Sequence, residues 1–524
     1  MTAAPSTVTL SIEGRTVTVP TGTSILEAAK QVGVLIPHYC YHPALPVVGV
    51  CRMCLVEVEK SLKLAPACAT TVAEGQVVHV HSDPALKARE GVLEMLLINH
   101  PLDCPICDQS GECELQDYTF QEGRADSRYH EAKRFNPVED FGGDVLYVPN
   151  RCILCTRCVR FMDDVAQDPV LNVSERGDRA LIGKAPGHDL THPWAGNVVD
   201  LCPVGALLSK DFLHKARAWE MDRTASVCPN CSQGCNITLE TRDNVVVRMK
   251  PRPNDDVNRY FMCDEGRANY RWMNRTDRIV QPLIKVGDEH KEADWDVALA
   301  TVASALRNKR LFVLASPRLS NETLYLLSRL MKRAGGAGAY RVPVSGAEQP
   351  LAGVPDLALR RDRAPNGNGA DLAGFTRSDT PLDAMKDGDV LLIADQELDA
   401  ADLPHLARAS TVIFAGTALT PEAATRVTVA LPLTNFAEEE GSFTNLRGRV
   451  QRFLQAKAGP ALARPGWFVL LDLLALSGDR VDGFVPGDVF AAMAKDVPAY
   501  AGLSYDGLGL RGAPAKNGAR GTPA

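Results

Sequence analysis

The sequence predicts a multidomain α+β chain, with a front half organised around cysteines and a back half built as an α/β domain. Three observations carry that expectation. All fifteen cysteines lie at or before position 263, grouped at short and repeated gaps. The opening stretch reads as strand, turn, strand and helix, followed by a cysteine-bearing loop. Beyond residue 280, apolar strand runs alternate with helical stretches, the order that yields a parallel sheet.

Each element has a local reason. Val8, Leu10 and Ile12 alternate with polar residues, Glu13-Gly14 turns, and Val17 and Val19 return, so residues 7–20 form a hairpin. Thr23 or Ser24 caps a helix that continues to residues 30–32, and Gly33 ends it. With a strand at 55–58, this is the order of a β-grasp ferredoxin. Leu86, Val92, Leu93, Leu96 and Leu97 line one face of a helix over 84–99 that delivers His100 at its end. Residues 101–146 are loop-rich, with a break at Gly142-Gly143, and a ferredoxin-like module follows over about 147–215. Residues 237–240 and 245–249 read as an antiparallel pair. In the α/β part, helices are expected over 295–307 and 322–333, and strands over 311–315, 390–394 and 412–415. The end, 507–524, is rich in Gly, Ala and Pro and reads as a disordered tail.

Composition narrows the class. At 524 residues, 45 % hydrophobic and 23 % charged, the chain is long enough for several cores and is neither fibrous nor wholly disordered. A net charge of -7 and a pI near 5.9 offer no basic face for nucleic acid. Residues 1–20 have neither a basic n-region nor an apolar h-region, so no signal peptide is expected. No apolar run approaches the ~20 residues that cross a bilayer. The best candidate, 467–476, is interrupted by Asp472. A soluble chain that can dock on a membrane protein is expected.

Disulfides fit poorly: the chain is long, its cysteines cluster at two-residue gaps, and their number is odd. The spacings instead divide into four sets. Cys40, Cys51, Cys54 and Cys68 form C-x10-C-x2-C-x13-C. His100, Cys104, Cys107 and Cys113 form H-x3-C-x2-C-x5-C. Cys152, Cys155 and Cys158 form C-x2-C-x2-C, completed by Cys202-Pro203. Cys228, Cys231, Cys235 and Cys263 form C-x2-C-x3-C-x27-C. The four sets account for every cysteine. A C-x2-C-x2-C loop wraps one face of a cubane cluster while a distant cysteine supplies the fourth corner. Zinc ribbons pair two C-x2-C knuckles, and neither triplet has that form.

The first set reads as a [2Fe–2S] site with a lengthened first gap, and Gly49 lets backbone N–H groups approach its sulfides. His38 and His42 flank Cys40, but four cysteines already complete that site, so both are read as packing residues. His100 is read as a ligand because its three cysteines otherwise lack a fourth. Arg151, Arg157 and Arg160 surround the third set and read either as charges favouring a reduced cluster or as solvated surface groups. Gly336-Ala337-Gly338 reads as a helix-to-strand loop, and no phosphate-cradling motif for NADH or flavin is found. Glu438, Glu439 and Glu440 read as a solvated loop.

Residues 38–59 (HYCYHPALPVVGVCRMCLVEVE), 99–117 (NHPLDCPICDQSGECELQD), 149–160 and 201–207 (LCPVGAL) resemble the large iron–sulfur subunits, the G subunits, of bacterial respiratory complex I, NADH-quinone oxidoreductase. From Cys228 onward the chain resembles molybdopterin-type oxidoreductases, more weakly at 427–453. The resemblance implies a β-grasp [2Fe–2S] domain over 1–83, a [4Fe–4S] domain with one histidine and three cysteine ligands over 84–146, and a ferredoxin-like [4Fe–4S] domain over 147–220. It further implies a molybdopterin-oxidoreductase-type [4Fe–4S] domain over 221–280, a shortened α/β domain over 281–510 and a tail over 511–524. The cofactors implied are one [2Fe–2S] and three [4Fe–4S] clusters, the fourth off the main electron path, with no flavin.

Two departures set the back half apart from catalytic relatives: Cys263-Asp264-Glu265-Gly266-Arg267 has glutamate where they carry lysine, and no cysteine follows Cys263. No molybdopterin is therefore expected. The implied role is electron transfer from the flavin of an NADH-binding partner subunit, first to the binuclear or histidine-ligated centre, then through the Cys152 set. From there a ferredoxin-like partner leads to quinone, with proton translocation by the complex. The implied place is peripheral, on the cytoplasmic side of the cell membrane. The alternatives are a molybdenum formate dehydrogenase, an iron hydrogenase and a zinc-ribbon scaffold.

Overall fold

A computed structural model describes residues 6–516. The chain forms two compact units, one ending at Glu220 and also containing Leu351–Pro355, the other beginning at Met221.

The first unit starts with the expected hairpin. Strands β1 (Thr7–Ile12) and β2 (Arg15–Pro20) pair antiparallel with Val8 opposite Val19 and Leu10 opposite Val17. Glu13 and Gly14 both take positive φ, 48° and 73°, the conformation of a hairpin turn that matches strand twist. Helix α1 (Ile25–Gln31) is capped by Ser24, whose hydroxyl accepts from Glu27 N–H at 3.2 Å, and it buries Ile25, Leu26, Ala28 and Ala29. Strands β3 (Leu55–Val58), β4 (Ala65–Pro66) and β5 (Val77–His79) complete a sheet of order β2-β1-β5-β3-β4. Strand β5 runs parallel to β1 and was not expected from its three residues. The core behind this sheet includes Cys54 and Cys68.

Helix α2 (Asp83–Leu97) ends just before His100, and α3 (Glu114–Glu122) begins directly after Cys113. Gly142-Gly143, expected as a domain break, instead forms the turn between β6 (Glu139–Gly142) and β7 (Val145–Tyr147). Short helix α4 (Arg157–Arg160) leaves the C-x2-C-x2-C loop. A hairpin, β8 (Leu171–Ser174) with β9 (Leu181–Lys184), follows. Helix α5 (Asn197–Leu201) presents Cys202, and β10 (Leu207–Ser209) pairs back onto β7.

The second unit opens with a three-stranded sheet, β11 (Asp222–Val227), β12 (Asn236–Arg242) and β13 (Val245–Pro251), in which β11 adds a strand to the expected pair. Helix α6 (Asp264–Ala268) follows Cys263 directly. Antiparallel strands β14 (Leu283–Val286) and β15 (Glu289–Glu292) precede helix α7 (Trp295–Ala305). Then come β16 (Leu311–Ala315), α8 (Asn321–Arg333) and β17 (Ala337–Tyr340). Gly336 lies in that helix-to-strand passage, as expected, whereas Gly338 already belongs to β17; a β-carbon on Gly336 would stand 1.8 Å from Leu311 O.

A small pair, β18 (Gln349–Pro350) and β19 (Ala358–Leu359), leads to helix α9 (Gly367–Ala373) and strand β20 (Thr376–Arg377). Strands β21 (Val390–Ala394), β22 (Thr411–Gly416) and β23 (Val429–Pro432) finish the main sheet. Its order, β15-β14-β23-β22-β21-β16-β17-β20, contains six parallel strands that wind outward in both directions from β16. The parallel sheet expected from alternating elements is therefore present, with the β14–β15 hairpin added antiparallel at one edge.

Two expectations are overturned here. Glu438 and Glu439 are 2 % and 7 % exposed, so they do not form a solvated loop. Both carboxylate oxygens of Glu438 accept from Arg278 Nη1, at 2.5 and 2.6 Å, an ion pair that keeps the charge buried. The expected tail is ordered where it is described: Ala513–Pro514 pairs with Arg449–Val450 in a sheet with Gly441–Thr444. Residues 517–524 lie outside the described residues. Among the described residues, no helix is long and apolar enough to cross a membrane.

Candidate metal centres

The first cysteine set is brought together in the first unit. Cys40 N–H donates to Cys51 Sγ at 3.4 Å. The Cys40 thiol hydrogen-bonds with Cys51 and Cys68, and Cys54 with Cys68. Those bonds hold Cys40 far below the ordinary thiol range and, with burial, push Cys51 and Cys68 up. Gly49 has φ 63° and a β-carbon there would meet only Ala69 Cβ, at 3.9 Å. A left-handed backbone of this kind favours glycine. His38 packs its Nδ1 2.8 Å from Ile36 O, and burial lowers both His38 and His42, the latter to about 3.

In the second set, Cys104, Cys107 and Cys113 face one another. Burial raises Cys113 to about 12, with the charges of Cys107 and Cys104 adding to it, and burial raises Cys107 as well. Burial lowers His100 to about 4, helped by Lys133 and Arg151, so its imidazole is neutral near pH 7, the state that binds metals. Arg151 is the neighbour that His100 and Cys107 share. His100 also lines a surface groove together with Cys152.

All four thiols of the third set line one cavity of about 330 Å³, whose other walls include Ile153, Ile182, Val204 and Leu207. Burial pushes these thiols up, Cys152 to about 11 and Cys155 to about 12. Leu154 N–H donates to Cys152 Sγ at 3.4 Å, and Leu154 and Thr156 are held at φ 53° and 60°. Non-glycine residues at positive φ are costly, and the loop keeps two of them between its cysteines. Thiols buried in apolar walls lose their protons to a bound metal, so this donor set and cavity fit an iron–sulfur cubane.

The fourth set lies in the second unit. Asn230 Nδ2 donates to Cys228 Sγ at 3.5 Å and Gly266 N–H to Cys263 Sγ at 3.3 Å. A β-carbon on Gly266 would stand 3.1 Å from Cys263 Sγ and 3.5 Å from Cys228 Sγ, which leaves room there for backbone only. Burial raises all four thiols, Cys228 to about 12. Among the described residues, no three His, Cys, Asp or Glu groups close to the spacing of one metal ion. A cluster interposes several atoms between its ligands, so that spacing bears on single ions alone.

The three arginines are not surface groups: Arg151, Arg157 and Arg160 are 7 %, 4 % and 7 % exposed. Arg151 Nε donates to Asp103 at 2.9 Å. Arg157 pairs with Glu114 at 3.2 Å and donates to Tyr41 O at 2.9 Å and Leu201 O at 3.3 Å. Arg160 reaches Cys40 O at 2.5 Å, Pro46 O at 2.6 Å and Cys155 O at 3.2 Å. Gly205, which lies within LCPVGAL and had no expected role, packs against Cys107; Arg217 Nη1 donates to Cys107 O at 2.8 Å. Nothing local in the sequence marks either residue, because both act across long chain separations.

Five family models match in order: a 2Fe-2S iron-sulfur cluster binding domain (5–83), the NADH-ubiquinone oxidoreductase-G iron-sulfur binding region (89–128), and the ferredoxin-like domain of NADH-quinone oxidoreductase subunit 3 (142–208). They continue with the molybdopterin oxidoreductase Fe4S4 domain (221–275) and molybdopterin oxidoreductase (278–380). The mitochondrial NADH-ubiquinone oxidoreductase 78 kDa subunit of Candida albicans is 39 % identical over 74 % of this chain and 52 % of its own length. The NADH-quinone oxidoreductase G subunit of Rickettsia felis is 40 % identical over 62 % of this chain and 49 % of its own. The NADH-ubiquinone oxidoreductase 75 kDa subunit of Reclinomonas americana is 38 % identical over 74 % and 55 %. The chain spans about half the length of these curated relatives.

Proposed function

The chain is a homologue of the large iron–sulfur subunits of NADH-quinone oxidoreductase, and from that premise we propose that it carries electrons within such a complex. Its partners are a flavin- and NADH-binding subunit that supplies electrons and a ferredoxin-like subunit that takes them on toward quinone. The complex couples this transfer to proton translocation, and the chain sits in its peripheral arm on the cytoplasmic face of the membrane. Bound clusters supply one-electron acceptance and release; the chain supplies position, burial and charge. Cys40, Cys51, Cys54 and Cys68 hold a [2Fe–2S] cluster, and the other three sets, His100 included, hold [4Fe–4S] clusters. The α/β domain holds no pterin.

The observation that carries this reading is the third set, three thiols of one short loop and the distant Cys202 converging on one apolar cavity. Its surroundings also support an order. Arg160 ties the third set's Cys155 to the first set's Cys40, and Arg151 and Gly205 tie the third set's segments to the second. The Cys152 set then stands between the binuclear and histidine-ligated centres, rather than after both. In an assembled complex, Cys155→Ser should slow NADH-driven reduction of the His100-set signal and spare the binuclear one.

Anaerobic purification with iron, sulfide and molybdenum counts and low-temperature EPR tests the assignment. One binuclear and three cubane signals with about 14 irons are expected. Zinc without acid-labile sulfide, or molybdenum with pterin, would overturn it.

A further inference from the structure

Arg160 sits at the end of α4, two residues beyond Cys158. Its guanidinium spans two metal-site segments. Nη2 donates to Cys40 O at 2.5 Å and to Cys155 O at 3.2 Å, while Nη1 donates to Pro46 O at 2.6 Å and Nε to Thr156 Oγ1 at 3.3 Å. Among the described residues, every one of these bonds ends on a carbonyl or a hydroxyl, and none on a carboxylate. Its neighbours differ: Arg151 pairs with Asp103 and Arg157 with Glu114.

A guanidinium keeps its proton in a protein, and a buried charge without a counter-charge is strongly unfavourable. The ionisable groups facing Arg160 include the thiols of Cys155, Cys40 and Cys158, the like-charged Arg157 and the imidazole of His42, and none of them is a carboxylate. The available negative charge therefore belongs to two different cysteine sets, which meet at this one side chain.

We propose that Arg160 is the shared counter-ion of the Cys40/Cys51/Cys54/Cys68 and Cys152/Cys155/Cys158/Cys202 centres, a positioning residue that raises the reduction potential of both. The proposal rests on the reading that both sets hold iron–sulfur clusters. Reduction of either centre adds one electron, with no bond made or broken and no proton needed at Arg160. A fixed positive charge beside both centres favours the reduced form of each. The same hydrogen bonds hold the Cys40 and Cys155 loops together, so one side chain sets charge and separation at once.

The test is EPR-monitored redox titration of the anaerobically purified full chain as wild type, Arg160→Gln and Arg160→Lys. With Gln, both midpoints move negative by on the order of tenfold in the reduced-to-oxidised ratio, about 59 mV for one electron. The Cys228-set centre in the second unit stays in place, and with Lys both midpoints remain near wild type. A shift of one centre alone, no shift, or Lys displaced as far as Gln overturns the proposal. Should the Gln variant fail to retain iron, the Lys variant decides: unmoved midpoints support the charge role, and displaced or lost centres overturn it. A wild-type chain without acid-labile sulfide sinks the cluster reading itself, an outcome distinct from intact clusters with unchanged potentials.

Discussion

Gly205 packs so tightly against the Cys107 thiol that a β-carbon added to it would stand 2.2 Å from Sγ. The stretch that carries the third set's last cysteine, Cys202, thus also shapes the surroundings of the second. Real β-carbons do not approach sulfur that closely, so either the thiol or the 202–206 loop must move. Gly205→Ala is expected to lose the His100-set centre, seen as a drop of about four irons and one missing cubane signal. The binuclear and Cys228-set signals should persist; retention of all signals would show that the site absorbs a methyl group.

His100→Ala should perturb the same cubane signal and leave the binuclear one intact. His100→Cys replaces a neutral imidazole with a thiolate and adds one negative charge. That variant should keep its iron while the midpoint of this centre moves negative in redox titration. An unchanged cubane spectrum in His100→Ala would remove the histidine from the ligand set.

Glu438 and Arg278 form an ion pair with side chains 1 % and 3 % exposed, and Lys457 lies 3.5 Å from the same carboxylate. Glu438→Ala would leave two buried cations without their counter-charge. Loss of one partner of such a pair costs about 3–5 kcal/mol. Denaturant unfolding of the full chain should show that loss in the transition reporting the second unit, and a loss under about 1 kcal/mol would mean that water reaches the site.

Two other buried carboxyls make stability depend on pH. Burial pushes Glu322 up to about 7 and Glu439 up to about 8. Both values lie above those of the unfolded chain, so the folded state holds protons that the unfolded state gives up. Their contribution is fully present below the ordinary carboxyl range and is lost as pH rises through about 7 and 8. Unfolding midpoints measured from pH 5 to 9 should fall toward the alkaline side. Glu439→Gln and Glu322→Gln should each flatten that slope, and an unchanged slope in both would locate the titration elsewhere.

Much of the chain was legible from residue type and local spacing. The hairpin at 7–20 follows from alternation around Glu13-Gly14, and the strands at 311–315 and 390–394 follow from uninterrupted apolar runs. The grouping of the cysteines into candidate metal sets has a chemical basis: few residue types ligate iron, and short gaps force them onto one loop. Less visible were features with no local signature. Strand β5 depends on β1 as its parallel neighbour, and Ala513–Pro514 is ordered because Arg449–Val450 offers it a pairing edge.

By itself the sequence determined the candidate donors, four sets that account for fifteen cysteines, because thiol chemistry and two-residue gaps are written into neighbouring positions. Only the tertiary structure decided what surrounds those donors. Arg160 could read as a surface charge until the loops of Cys40 and Cys155 closed around it, and Glu438 as a solvated acid until Arg278 met it. The physical reason is that a charge is defined by its burial and its partners, and both are supplied by segments more than a hundred residues away, by separations of 120 for Arg160 and Cys40 and 160 for Arg278 and Glu438.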